Sequence, residues 1–275
     1  MPWSDDAPLR AWVRRQQVVD SRVRRILLTA SRDAGRRIVG SGSATGLRRA
    51  QLGLASEMLR MWSEIGSTIE DAIITSDAAV ATVNTLFTDD LLRSIGVRDN
   101  AYFRQQMLRS SRNSLRAYLA REQNGIALSE RVYRNAAVSS GRIDRLVNNG
   151  LLRGASAREI ARDVAGFINP NTPGGTSYAA MRLARSEIQN ALHTASQESY
   201  AANPFIERVE WSLSASHPRA DTCDDLVGQY SLDQVPDKPH PQCFCYITPV
   251  PMDRAELIRR FKNGEFDAYA DAQAA

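Results

Sequence analysis

From Leu9 to about Val39, apolar residues return every three or four positions: Leu9, Val13, Val19, Val23, Ile26, Leu27, Ala30, Ala34 and Ile38. That spacing puts one stripe on one face of a 3.6-residue period and predicts a long amphipathic helix. Gly40-Ser41-Gly42-Ser43-Ala44-Thr45-Gly46 interrupts it with residues that favour a turn. A second stripe follows at near-heptad spacing: Leu54, Met58, Met61, Trp62, Ile65, Ile69 and Ile73. Two stripes joined by a short linker predict an antiparallel helical hairpin, its apolar face turned to its own core or to a partner subunit.

Residues 78–96 and 99–122 carry two more helical segments, the second opened by Asp99 as a cap and ended before Asn124-Gly125. The next is expected to open at Ser129 and to carry Val132, Tyr133, Ile143, Leu146 and Val147. Ser156 and Glu159 have capping-box spacing, in which a hydroxyl and a carboxylate satisfy two orphan backbone donors. The helix they start runs to about Ile168. After the Pro- and Gly-rich stretch 169–175, residues 177–201 place Met181, Ala184, Ile188, Leu192 and Ala195 on one face, with Arg185 inside the same arc. An arginine there needs an ordered acceptor, because burying it unpaired is costly.

Beyond Pro204 the period changes from 3.6 to 2. Val209, Trp211 and Leu213 alternate with polar residues, and 244–250 can form a second strand. About thirty irregular residues join them; so long a loop needs a staple to hold one shape. Residues 253–261 predict a short closing helix. The fold class expected is mainly α: long N-terminal helices, then a C-terminal α+β module with a small antiparallel β element.

The 275 residues are 43% hydrophobic and 24% charged, the balance of a globular protein. No apolar run reaches the roughly 20 residues a membrane span needs. Met1-Pro2-Trp3-Ser4-Asp5-Asp6 lacks a signal-peptide pattern, so synthesis and folding in a reducing cytoplasm are expected. Lys238 and Lys262 are the only lysines among 35 basic residues. Residues 1–50 hold eleven arginines against Asp5, Asp6, Asp20 and Asp33, although the whole chain carries only +4. This basic arm suggests an acidic partner, with Arg14, Arg15, Arg22, Arg24, Arg25, Arg36 and Arg37 as candidate phosphate contacts.

All three cysteines, Cys223, Cys243 and Cys245, fall in the C-terminal loop beside His240. An odd number argues against a disulfide framework. Three thiolates and one imidazole match a tetrahedral structural zinc set; the alternative is a staple that packs and hydrogen-bonds without metal. Cys243 and Cys245 are expected to need a bulge or turn to ligate together. His217, Asp221 and His240 can also be read as acid–base groups. No nucleophile elbow, phosphate-cradling glycine loop or His-Glu-x-x-His helix accompanies them, so no catalytic residue is assigned.

Two motifs carry a resemblance. Tyr178-Ala179-Ala180-Met181-Arg182-Leu183-Ala184-Arg185-Ser186-Glu187-Ile188-Gln189-Asn190-Ala191 is followed by Asp221-Thr222-Cys223-Asp224, Gly228 and Pro239-His240-Pro241-Gln242-Cys243-Phe244-Cys245. In this order the pair resembles phage Mu F-type head morphogenesis proteins, with Gln242 and Phe244 where that family usually has Asn and Arg. The resemblance covers residues of about 130–250, and together with the patterns above it leads to three expected regions: 1–125, helical with the basic arm; 126–252, the head morphogenesis domain; 253–275, a closing helix and tail. It makes Arg185, Glu187, Asn190, His217 and Asp221 structural motif residues. It further implies a non-enzymatic minor capsid protein in the virion head, made in the host bacterial cytoplasm. Portal or major capsid proteins and packaged double-stranded DNA are its expected partners, with no membrane and no small-molecule substrate. Two other readings are a DNA-binding protein acting outside the virion and a toxin-like enzyme.

Overall fold

The structure, a computed structural model, describes residues 7–95, 101–120, 127–215, 217 and 219–267. It is mainly helical: α1 (Ala7–Val39), α2 (Ala44–Ile74), α3 (Asp77–Ser94), α4 (Ala101–Ala120), α5 (Leu128–Leu152), α6 (Ala157–Ile168) and α7 (Gly175–Ala201). Then come β1 (Ile206–Ser212), β2 (Gly228–Ser231), β3 (Tyr246–Pro251) and the closing helix α8 (Arg254–Lys262). The expected fold class is the one observed. Gly96, Asp99, Glu122 and the Asn124-Gly125 break lie outside the described residues.

The helices and strands gather into two compact units that do not follow chain order. One comprises the described residues of 15–72 and 121–187; the other comprises those of 1–14, 73–120 and 188–275.

The first unit is all helix. Val23, Leu27 and Ile38 of α1 and Leu54, Met58, Trp62, Ile65 and Ile69 of α2 are buried, as their stripes require. Ion pairs show that α1 and α2 run antiparallel: Arg37 meets Glu57 at 2.5 Å, while the earlier Arg22 approaches the later Asp71 at 3.9 Å. Trp62 Nε1 donates to Ser139 of α5 at 3.0 Å, so its one polar group is satisfied inside the core. Where α5 meets α6, Gly150 is required by space, since a Cβ there would lie 2.5 Å from Ile160 Cγ1.

Local chemistry sets the helix ends, with two departures from expectation. Helix α5 opens at Leu128 after Ala127, which provides no side-chain cap; Ser129 lies inside the helix and Tyr133 is exposed. Helix α7 begins at Gly175, two residues early. Gly174 and Gly175 have φ of +80° and +68°, and a Cβ on Gly175 would sit 2.4 Å from the Phe167 carbonyl oxygen, so glycine makes that entry. The capping box on α6 is present, with Glu159 Oε2 accepting from the Ser156 amide at 2.7 Å.

In the second unit the sheet order is β2-β1-β3, antiparallel throughout. The short β2 was not expected, because Gly228-Gln229-Tyr230-Ser231 has no alternating apolar pattern. Val209 and Trp211 face inward, and a bulge between Ile206 and Arg208 brings Ile206 to the same side. These side chains pack with Phe87, Tyr200, Ile247 and the three cysteines. A separate cluster joins Leu92, Met107, Phe205, Met252, Leu257 and Phe266. A buried polar network ties α3 to the end of α7: Asn84 Nδ2 donates to the Ser199 carbonyl and hydroxyl, both at 2.8 Å, and Asn203 donates to Asn84 and Thr88. Among the described residues no helix is long and apolar enough to cross a membrane.

Candidate metal centre

The loop after β1 is held by its own aspartates. Asp221 Oδ1 accepts the Cys223 amide at 2.7 Å, and Asp224 Oδ2 accepts the Asp221 amide at 2.7 Å. These turns deliver Cys223 to the start of a 3-10 turn, Asp224–Leu226. The amide of Cys223 holds the Asp221 carboxyl below the usual range. The amide of Asp221, followed by His217, does the same for Asp224.

Cys243 and Cys245 arrive differently. Gln242 turns the chain with φ of +60°, a conformation that Asn adopts more readily than Gln. Cys243, Cys245 and Ile247 then alternate inward into β3. The expected bulge is therefore unnecessary, because residues two apart in an extended segment share a face.

Cys223 Sγ lies 3.5 Å from Cys243 Sγ and 3.1 Å from His240 Nε2. Two overlapping sets of ligand atoms, each mutually within 4.8 Å, share Cys223: one adds His240 and Cys243, the other His217 and Cys245. Around a tetrahedral zinc, sulfur and nitrogen ligands stand about 3.5–3.8 Å apart, given bonds of about 2.3 and 2.0 Å. The spacings seen fall a few tenths short of that, and the donor set is the right one. The structure thus gathers His240, Cys243, Cys245 and His217 around Cys223 as a possible metal-binding cluster, in two sets of three, neither of which holds all four expected ligands.

The imidazoles are oriented by second partners. His240 Nδ1 donates to the Pro241 carbonyl at 3.0 Å, which leaves Nε2 with its lone pair toward Cys223. His217 Nε2 meets Asp224 Oδ2 at 3.0 Å. Such outer partners fix the tautomer of a ligating histidine.

The cluster is poorly arranged for nucleophilic chemistry. Cys223 and Cys243 are buried, and burial, with neighbouring thiols acting on Cys223, raises both thiols above their ordinary range. A reactive cysteine needs the opposite shift. Asp221 approaches the same His240 nitrogen that faces the thiol, at 3.3 Å, whereas a catalytic triad places its carboxylate on the other nitrogen.

Lys238, noted in the sequence only as one of two lysines, stands beside the cluster. Half-buried, it donates to the carbonyls of Cys243 and Cys245 and lies 5.6 Å from the Trp211 ring centre. Burial lowers its pKa and the three sulfurs oppose that. The signal was its rarity: one of two lysines, two residues before His240.

The other expected site residues belong to helices. Arg185 finds its acceptor in Asp20, with Nη2 to Oδ2 at 2.8 Å. Glu187 is buried and takes a two-pronged contact from Arg131, Nη2 to Oε2 at 2.8 Å. Asn190 is half-buried. In the basic arm, Arg22, Arg24, Arg36 and Arg37 meet Asp71, Asn171, Asp33 and Glu57, and Arg15 also has a partner. Arg14 and Arg25 are exposed.

Compared with known proteins, the chain matches no family model, no curated protein and no solved structure.

Proposed function

We propose that this chain is a minor capsid protein of head-morphogenesis type from a tailed phage or prophage, without catalytic activity, its C-terminal loop stapled by one structural zinc. One observation carries the reading: in both resembling motifs, side chains are committed to holding structure. Arg185 and Glu187 are tied into ion pairs, and His240, Cys243 and Cys245 gather around Cys223 in two overlapping ligand sets. Cys223, Cys243, Cys245 and His240 are the zinc ligands, with His217 beside them as an outer group. When bound, zinc supplies folding free energy to a loop that has little regular structure.

The virion head is the proposed location, with the portal or major capsid protein as partner. Quantitative peptide counting on purified heads and procapsids tests this, a low but fixed copy number being expected. Absence from both particles overturns it. Elemental analysis of protein purified without chelator should find about one zinc per chain, as the four-ligand set requires.

A second reading, contact with DNA, is favoured by the exposed Arg14 and Arg25. Deleting α1 would also remove Val23, Leu27 and Ile38 from the core, so charge reversal is the sounder test. Arg14→Glu with Arg25→Glu should weaken non-specific DNA binding and flatten its salt dependence. Unchanged binding assigns the basic helix to an acidic protein surface. DNA binding by a chain absent from particles would favour a role outside the virion. Turnover that survives in a stably folded protein and is lost on His240→Ala would favour the enzyme reading.

A further inference from the structure

The zinc reading leaves Lys238 to be explained. Zinc held by three thiolates and a neutral imidazole has a net charge of −1, counting two positive charges against three negative. Lys238 is the cation beside it. Its ammonium donates to the carbonyls of Cys243 and Cys245, two residues that also supply sulfur. It is half-buried beside the Trp211 indole, and it has no salt bridge to a carboxylate among the described residues. An ammonium taken out of water needs an opposite charge nearby, and carbonyl dipoles and an indole face give only part of it. Three neutral thiols give none.

Resting on the zinc reading above, we propose that Lys238 is the built-in counter-ion of a three-thiolate zinc centre, tuning the site to a metal complex of net charge −1. The loop achieves this by ordering Lys238, His240, Cys243 and Cys245 within eight residues, so that the cation and three ligands share one turn. Lys238 touches no ligand atom in this role; it positions the backbone behind two ligands and balances the charge in front of it.

The role predicts a change of sign. In zinc-loaded protein, Lys238→Met removes a favourable charge, and metal affinity should fall about 10- to 100-fold, as for other outer-shell partners. In chelated protein the same substitution removes a half-buried cation with no carboxylate partner among the described residues, so the melting temperature should stay level or rise. Lys238→Arg keeps the charge and should retain most of the affinity, which guards against a Met variant that fails to fold. Affinity is read by competition with a chromogenic chelator, and thiolate ligation by the charge-transfer bands of the cobalt-substituted protein. Equal affinity in wild type and Lys238→Met overturns the counter-ion role and leaves the zinc reading standing. Equal destabilisation with and without metal overturns it too, since that is what carbonyl hydrogen bonds and indole packing alone produce. Wild-type protein that binds no zinc removes both.

Discussion

In the helical unit, buried charge is met by opposite charge from the same chain. Glu187, only 2% exposed, receives both arms of Arg131, and Arg185 reaches Asp20. In the Cys/His module the half-buried cation Lys238 meets carbonyl oxygens and an indole face. The helical unit therefore carries its electrostatic balance in its sequence. Under the zinc reading proposed above, an ion that converts the thiols to thiolates balances the module. That reading makes the helical unit stable by packing and links the module's stability to a ligand.

The sharpest way to break the comparison is to remove metal. Zinc binding contributes on the order of 10–16 kcal/mol in small zinc domains, so chelation or Cys223→Ala should unfold the module. Hydrogen exchange should then show lost amide protection across β1 and β3, with protection kept in α5 and α6. Protection unchanged in the strands would mean that the loop is a metal-free staple.

The ion pairs sharpen the other side. Glu187→Ala takes a buried carboxylate from the half-buried Arg131 and should cost about 3 kcal/mol in denaturant unfolding. Arg185→Ala should cost only about 1 kcal/mol, because that side chain is 32% exposed and solvent screens its pair. Equal costs would remove the distinction between a buried pair and a surface one.

Acid should discriminate the units next. His193 Nε2 donates to the Pro236 carbonyl, and burial, then the nearby Lys238, lower its pKa to about 4. The unfolded chain takes up that proton first as pH falls. Stability from neutral His193 is thus full above about 6.5 and lost as pH drops toward 4, roughly 3 kcal/mol in all. Chelated protein should show the loss, and His193→Gln should flatten it. The smallest effect concerns a cap: Ser156→Ala should lower stability by about 1 kcal/mol, with no effect on zinc affinity.

Periodicity made the helical half legible. The stripes of α1 and α2 and the capping box on α6 are local patterns, and they yield the observed elements. The strand β2 was not legible, because its residues carry no alternation and pair through backbone bonds to β1. The buried Asn84–Ser199–Asn203 network was equally hidden, since its members lie up to 119 residues apart and look like ordinary polar positions. In the candidate site, cysteine clustering beside histidine pointed to side chains that the fold gathers around Cys223 as a possible metal-binding cluster. His217 as a fifth neighbour, and Lys238 behind the cluster, emerged once the loop had closed on itself.

What the sequence by itself determined is the set of amphipathic faces and the set of donors, because both depend on spacing within one helical turn or one short segment. What only the tertiary structure decided is which charges find partners. Glu187 meets Arg131 across 56 residues, and Cys223 meets His240 across 17 residues. Such pairings depend on how separate elements pack, and packing follows the free energy of the whole core rather than any local pattern. For the same reason the compact units interleave along the chain, with segments 1–14, 73–120 and 188–275 gathered into one. Chain order can propose boundaries, but burial of apolar surface selects which segments share a core.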